Sequence, residues 1–281
     1  MLQVVVIGSV NLDLSARVAR LPAPGETISG ASLGRFPGGK GANQALAARR
    51  LGASVSLYAA VGDDPGADEA LRLLLEGGVD LSRLERLPGV STGLAMIAVA
   101  PTGENQIIVA PGANAMLGSP GADVLAGDVL ISQLETPAAV LVEAVKAFDG
   151  FVCVNLAPAK EIDVSVLTRA DLVVVNETEA NWYGTSLAAA RGYVATTFGA
   201  DGATLSRHGV VIAESRPPAV EVVDTTGAGD TFTAALALRL AAGTAAPAAL
   251  DFACAAGALA TTREGAQPSL PTLDEVRALL G

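Results

Sequence analysis

Along most of the chain, short apolar runs alternate with segments whose apolar residues recur at helical spacing. Residues 2–8, "LQVVVIG", make a compact, Val-rich run of strand length, and 54–62, "SVSLYAAVG", repeat it. Three more strand-like runs follow: "DVLISQLE" at 128–135, "FVCVNLAP" at 151–158 and "DLVVVNETE" at 171–179. Between the runs lie helical patterns. "KGANQALAARRLG" starts at Lys40 with Gly52 as its stop, "ADEALRLLLEGG" ends in Gly77 and Gly78, and "PAAVLVEAVKAF" begins at Pro137. Near the end, "AVEVV" (219–223) reads as a strand feeding the loop "DTTGAGD" and the helix "TFTAALALRLAAG", closed by Gly243. Strand–helix alternation predicts right-handed crossovers and an α/β three-layer sandwich with a mostly parallel central sheet.

Two stretches break that rhythm. Residues 14–39 and 91–114 alternate apolar with polar positions and carry turn signals, among them Pro101-Thr102-Gly103-Glu104. They predict antiparallel hairpins, a small β-sheet lid inserted in one domain spanning 1–281. The segment "ANWYGTSLAAARGYVATT" after Glu179 is too short for a full helix between strands and leaves one flank thin.

Composition narrows the class. Hydrophobic residues are 51% of the 281 and aromatics only 4%, so the core is built from Ala, Val and Leu, as suits parallel strands covered by helices. The net charge of -11 leaves no basic excess for nucleic acid or an anionic membrane. Cys153 and Cys254 are far apart, have no ligand-spaced partner, and read as buried thiols of a reducing cytoplasm. The start lacks a signal-peptide pattern, and no apolar run reaches the ~20 residues of a membrane span. A soluble, cytoplasmic protein is expected.

Polar residues gather where strands end: Asn11 and Asp13 after the first, Asp63 and Asp64 after the second, then Glu135, Asn155, Asn176 and Glu179. Singly, such residues often cap helices. As a set along one sheet edge they predict a ligand cleft beyond the carboxyl ends of the strands. In "DTTGAGD" the amides of Gly227, Ala228 and Gly229 sit at a helix start, where free N–H groups and the helix dipole hold roughly half a positive charge. That is a pocket for a phosphoryl group in transfer, and Asp230 beside it is placed to take the proton of an attacking hydroxyl. There is no GxxxxGK[ST] loop, and "GSVNLD" does not match the dinucleotide pattern. His208, in "SRHGVV", reads as a solvated turn residue.

The ordered motifs "GSVNLD", "PGETISG", "FPGGKGANQALAARRLGA", "VGDDPGAD", "STGLAMI", "QLETP", "NLAPA", "NETEA", "DTTGAGDTF" and "TTREGAQPSLP" together resemble the ribokinase-like family of carbohydrate kinases, from about residue 4 to about residue 275. The resemblance implies ATP-dependent phosphorylation of the 5-hydroxyl of D-ribose. It implies sugar contacts from Asn11, Asp13, Gly39, Lys40, Asn43 and Glu135, a catalytic base in Asp230, and an anion hole of backbone amides from Gly227, Ala228, Gly229 and Asp230. It also implies a phosphate and Mg2+ shell at Asn176 and Glu179, and a nucleotide side at Thr197, Gly199, Gly202 and Gly229. Cys254 stands where the family often has a histidine near adenine. A monovalent-cation site, usually K+, is implied at Asp224, Thr226, Ala260, Arg263, Gly265 and Ser269. Separately, an open lid exposes strand edges that need cover, so a homodimer through the lid strands is expected. A kinase for another pentose, deoxyribose, a nucleoside or a hexose phosphate shares these residues. The lone Lys40 in the sugar set weighs against a phosphorylated substrate. A non-catalytic sugar or nucleotide sensor is the third reading, disfavoured because both base and anion hole are present.

Overall fold

The computed structural model describes residues 1–101 and 105–281, so most of the expected turn at Pro101-Thr102-Gly103-Glu104 lies outside the described residues. In chain order the first elements are β1 (Gln3–Ile7), β2 (Asn11–Arg17), β3 (Ser32–Gly38), α1 (Lys40–Arg50), β4 (Ser54–Gly62), α2 (Pro65–Glu76), β5 (Leu84–Leu87), β6 (Gly93–Val99) and β7 (Asn105–Ala110). The middle of the chain gives β8 (Val129–Ser132), α3 (Ala138–Ala147), β9 (Phe151–Asn155), α4 (Val164–Arg169), β10 (Leu172–Asn176) and α5 (Glu177–Tyr183). The remainder gives β11 (Tyr193–Thr197), β12 (Ala203–Arg207), β13 (Val210–Ser215), α6 (Ala228–Ala241), α7 (Ala246–Leu259), α8 (Ala266–Ser269) and α9 (Leu273–Leu280).

A nine-stranded sheet runs β13-β12-β11-β10-β9-β8-β1-β4-β5. It is parallel except at the end, where β12 pairs antiparallel with both β11 and β13. Its strands are apolar on both faces, and alternate residues go to opposite sides. Val4, Val6, Val129, Ile131, Cys153 and Val174 join one core with α1, α6 and α7. Val5, Ile7, Leu130, Val152, Val154 and Val173 join the other with α3 and α4. A single Val-rich run thus serves both helical layers, as the α/β three-layer reading expected.

The lid is a four-stranded sheet, β3-β2-β6-β7. Its two antiparallel hairpins, β2–β3 and β6–β7, are joined by a parallel pairing of β2 with β6. The first lid strand begins at Asn11, three residues before the expected start, so Asn11 and Asp13 belong to the lid rather than to a loop after β1.

The expected strand at 219–223 does not form. Pro217 and Pro218 lack amide donors, Val222 and Val223 are exposed, and the sheet already ends at β13. The segment is anchored by the amides of Val223 and Asp224, which donate to the Thr261 carbonyl at 2.8 and 3.1 Å. After β10, α5 stops at Tyr183 and a 3₁₀ segment, Gly184–Ala189, takes the place of a full helix, as the short segment predicted. His208 is an exposed turn residue with positive φ of 52°.

The first turn of α1 lies against the end of β1 because neither chain carries a side chain there. A Cβ on Gly41 would sit 2.5 Å from the Gly8 carbonyl carbon and the Ser9 nitrogen. Alanine at a helical position gains about 1 kcal/mol in propensity over glycine, but these are backbone atoms that cannot rotate away. Gly41→Ala is therefore expected to lose a net ~1–3 kcal/mol of stability, read as a lower denaturation midpoint. A variant as stable as the parent would show that the contact is loose.

Candidate active site

The two helix starts that define the site are supported differently. Gly39, with φ of 89°, turns the chain into α1 so that Lys40 is its first residue. Gly227, with φ of 84°, does the same for α6. Among the described residues no acceptor takes the amide hydrogens of Gly227, Gly229 or Asp230. These are the free first-turn donors that a helix start leaves over. The two helices pack together, and Asn43 and Gln44 of α1 reach Asp230 of α6.

Asp230 is buried and its carboxylate is held from two sides: Asn43 Nδ2 donates to Oδ2 at 2.8 Å and Gln44 Nε2 to Oδ1 at 2.9 Å. Burial raises its pKa above the ordinary aspartate value and outweighs the pull of Lys40 and the two amide bonds. Asn43 Oδ1 is buried without a partner, an acceptor suited to a hydroxyl donor. Glu135 takes bonds from the Ser9 hydroxyl and, at 3.1 Å, from the Lys40 amide, while the Ser9 Oγ accepts from the Gly41 amide at 3.3 Å. Asn11 is fixed by Asn114, whose Nδ2 donates to its Oδ1 at 2.7 Å.

Burial would lower the Lys40 ammonium pKa, but Asp230, Glu135, Glu179 and Asp13 together push it above its usual value. Asp13 is pushed up to about 7, first by burial and then by Glu135 and Asp230. The cleft these groups enclose measures about 340 Å³ and is covered by Ala95, Ile97, Ile107 and Val109 of the lid.

Asn11, Asp13, Gly39, Lys40, Asn43, Glu135, Gly229 and Asp230 all line this one cleft, together with Asn176, Glu179, Thr197, Thr226 and Gly227. Asn176 and Glu179 form a reciprocal cap on α5, each side chain accepting the other's amide at 2.8 Å. Burial raises the Glu179 pKa, against the opposing bond from the Asn176 amide and the charge of Lys40. Ala228 lies in the α6 first turn without lining the cleft.

Several expected residues lie elsewhere. Asp63 and Asp64 do not line the cleft; Asp64 caps α2 and takes bonds from the amide and hydroxyl of Thr92. Gly199 and Gly202 shape the loop after Thr197, closed by the Phe198 amide on the Gly202 carbonyl at 2.8 Å. Cys254 is buried in α7 with its thiol 3.9 Å from the Ser215 carbonyl, and burial raises its pKa. The Asp224 carboxylate is half-buried, and bonds from Thr226 and the Gly265 amide outweigh the effect of burial and hold its pKa below the usual value. Beside it, no donor among the described residues is found on the carbonyls of Thr226, Ala260 or Arg263. An ionised carboxylate with unoccupied carbonyls is a hard-oxygen donor set suited to K+. The Arg263 side chain pairs with Glu275, and Ser269 Oγ donates to the Ala266 carbonyl at 2.7 Å. Among the described residues no three His, Cys, Asp or Glu side chains converge on a metal, and no helix is long and apolar enough to cross a membrane.

A family model for pfkB family carbohydrate kinases matches residues 1–273. The chain belongs to this family. It is 37% identical to the ribokinase of Bacillus subtilis, over the whole of both chains. It is 32% identical to the deoxyribokinase of Salmonella typhi, over 99% of each. The structure of Arabidopsis thaliana ribokinase complexed with ribose and ATP matches with a TM-score of 0.88, 30% identity, and 99% and 98% of the two chains. A nine-stranded sheet with a four-stranded lid is thus the ribokinase-like architecture, and the chain is a pfkB-family sugar kinase.

The sequence reading of this pfkB kinase did not single out Gln44, Gln133 or Ser9. Gln44 stands next to Asn43 inside "GGKGANQ", and only its fully buried position marks it. Asp13 also carries a stability consequence. A carboxyl that binds its proton more tightly folded than unfolded supports folding at low pH and loses that support as pH rises from about 4 to about 7. Asp13→Asn mimics the protonated form. Without sugar, its unfolding free energy should match the parent's near pH 4, exceed it increasingly up to pH 7, and stay above it by on the order of 4 kcal/mol at higher pH. Equal melting curves at pH 8 would show that Asp13 ionises freely.

Proposed function

We propose that the chain transfers the terminal phosphoryl group of ATP to the 5-hydroxyl of D-ribose, giving D-ribose 5-phosphate and ADP. The observation that carries this reading is Asp230: a buried carboxylate with a raised pKa, in the first turn of a helix where the Gly227, Gly229 and Asp230 amides have no acceptor among the described residues, while that of Ala228 donates to the Thr225 carbonyl at 3.3 Å. Asp230 takes the hydroxyl proton as the oxygen attacks phosphorus and the bond to ADP breaks. The amides of Gly227, Ala228, Gly229 and Asp230 steady charge on the moving phosphoryl oxygens. Asn11, Asp13, Gly39, Lys40, Asn43 and Glu135 hold the sugar. Buried donors and acceptors left unmatched are costly, so the same groups reject ligands that lack the right hydroxyls.

ATP lies toward Thr197, Gly199, Gly202, Gly229 and Cys254, with its phosphates near Asn176 and Glu179. Asn176 and Glu179 would hold Mg2+ there through its water shell, and the ion would supply charge neutralisation. The oxygens at Asp224, Thr226, Ala260, Arg263, Gly265 and Ser269 would hold K+, and the ion would supply a fixed positive charge next to the anion hole. The apolar lid residues keep water from the reacting groups. A second copy pairs through the lid, whose edge strands β3 and β7 carry the exposed Leu33 and Ile108. The chain works as one unit, 1–281, with the lid inserted.

The deoxyribokinase relative at 32% identity favours deoxyribose as the second reading. A coupled ADP assay with Mg2+ and K+ over a panel of ribose, deoxyribose, other pentoses and nucleosides decides between them. Ribose is expected to have the highest kcat/KM, and faster turnover of any other acceptor overturns the assignment. Asp230→Asn should lose 10²–10⁴-fold in kcat, the usual share of a general base, with ribose binding by calorimetry within a few-fold of the parent. Full-rate turnover by Asp230→Asn would end the mechanism.

A further inference from the structure

We propose that Gln44 and Gln133 form a positioning relay that fixes the orientation of the Asp230 carboxylate; this rests on Asp230 being the base. Gln44 is fully buried and does not line the cleft. Its Nε2 donates both to Asp230 Oδ1 at 2.9 Å and to Asn155 Oδ1 at 3.1 Å. Its Oε1 accepts from Gln133 Nε2 at 2.6 Å. Asn155 is itself anchored, its Nδ2 donating to the Val174 carbonyl at 3.1 Å.

The chemistry of the partners sets which way each amide points. An ionised carboxylate only accepts, so the Gln44 end beside Asp230 is the NH2 and its carbonyl faces Gln133. Gln133 must then offer its own NH2, and its Oε1 is left buried with no donor. That atom lies where any side chain on Gly8 would be, so the glycine at the end of β1 makes room for it. A core position with only a packing role would carry an apolar side chain and leave no orphan oxygen. The unpaired atom is the consequence of forcing one polarity through two amides up to the carboxylate.

Asn43 also holds Asp230, but it lines the cleft and its free Oδ1 faces substrate chemistry. Gln44 and Gln133 have no route to a ligand, so they act on the reaction only through Asp230. Other charged groups facing Asp230 are Lys40 and Glu135, with Asp13 and Glu179 beyond them. None of these touches Gln44 by a hydrogen bond among the described residues.

The test is Gln44→Met, close in shape and unable to donate, assayed beside Gln133→Met, the double variant and Asp230→Asn. Gln44→Met should lower kcat 10–30-fold, roughly the value of one hydrogen bond to a charged group, with the sugar KM changed less than threefold. With one N–H bond to the carboxylate gone, the acid limb of its kcat–pH profile should move to higher pH. Gln133→Met should give a smaller fall in kcat, and the double variant should be no worse than Gln44→Met, because the two residues act in series. Unchanged kcat and pH profile in a folded Gln44→Met protein overturn the relay, as do multiplicative losses in the double variant. If Gln44→Met does not fold, Gln133→Met alone decides: a twofold to tenfold fall in kcat at constant KM supports the relay, and parental kcat overturns it. Asp230→Asn separates the two claims. If Asp230→Asn is inactive while both glutamine variants are normal, only the relay fails; if Asp230→Asn is fully active, the reading of Asp230 as base fails.

Discussion

Four carboxylates, Asp13, Glu135, Glu179 and Asp230, share one ammonium group, that of Lys40. Two unit charges at ~4 Å interact by about 4 kcal/mol near a protein surface, so this cluster holds together only if most of its negative charge is compensated or protonated. The structure meets the excess in three ways. Asp13 is pushed toward protonation, Asp230 is compensated by two amide donors, and Glu135 and Glu179 are tied to backbone amides at the starts of helices. The free amides of the α6 first turn add positive potential on the side that faces the cleft. Carboxylates gathered in this way favour a ligand rich in hydroxyl donors.

Such a cluster needs its elements at closer range than side chains ordinarily permit. Gly8 and Gly41 let the first turn of α1 lie on the end of β1, which places Lys40, Asn43 and Gln44 opposite α6. A backbone approach of this sort fixes distance without using a side chain, and leaves the side chains free for chemistry. The sheet supplies the rest, because parallel strands bring Glu135, Asn155 and Asn176 to one edge.

Much of this was legible from the chain. The Val-rich runs gave β1, β4, β8, β9 and β10 because buried parallel strands are apolar on both faces. The loop before α6 identified itself by its glycines and its acid. The reading failed where the pattern was the same but the surroundings differed. "AVEVV" has strand composition but no neighbour to pair with, and pairing is not written in a single segment. Asp64 looked like a site residue because capping and ligand binding favour the same side chains. Gln44 and Gln133 escaped because nothing in a sequence of amides and alanines shows that two glutamines 89 positions apart are bonded.

The lid also differs from a simple cover over a finished site. Its strand β2 carries Asn11 and Asp13, so part of the cleft lining belongs to the lid itself. The same hairpin reaches the loop of Glu264 and Gly265. Arg17 pairs with Glu264 and its charge helps to lower the Asp224 pKa, while the Phe36 ring lies where any side chain on Gly265 would be. The surface ion pair is worth little alone, ~0–1 kcal/mol, but the Phe36 contact is steric and does not weaken with salt. Phe36 of β3 packs on Gly265, whose amide binds Asp224 at 2.9 Å. The lid strands that carry Asp13 and the loop that holds the Asp224 carboxylate are thus joined by direct contact.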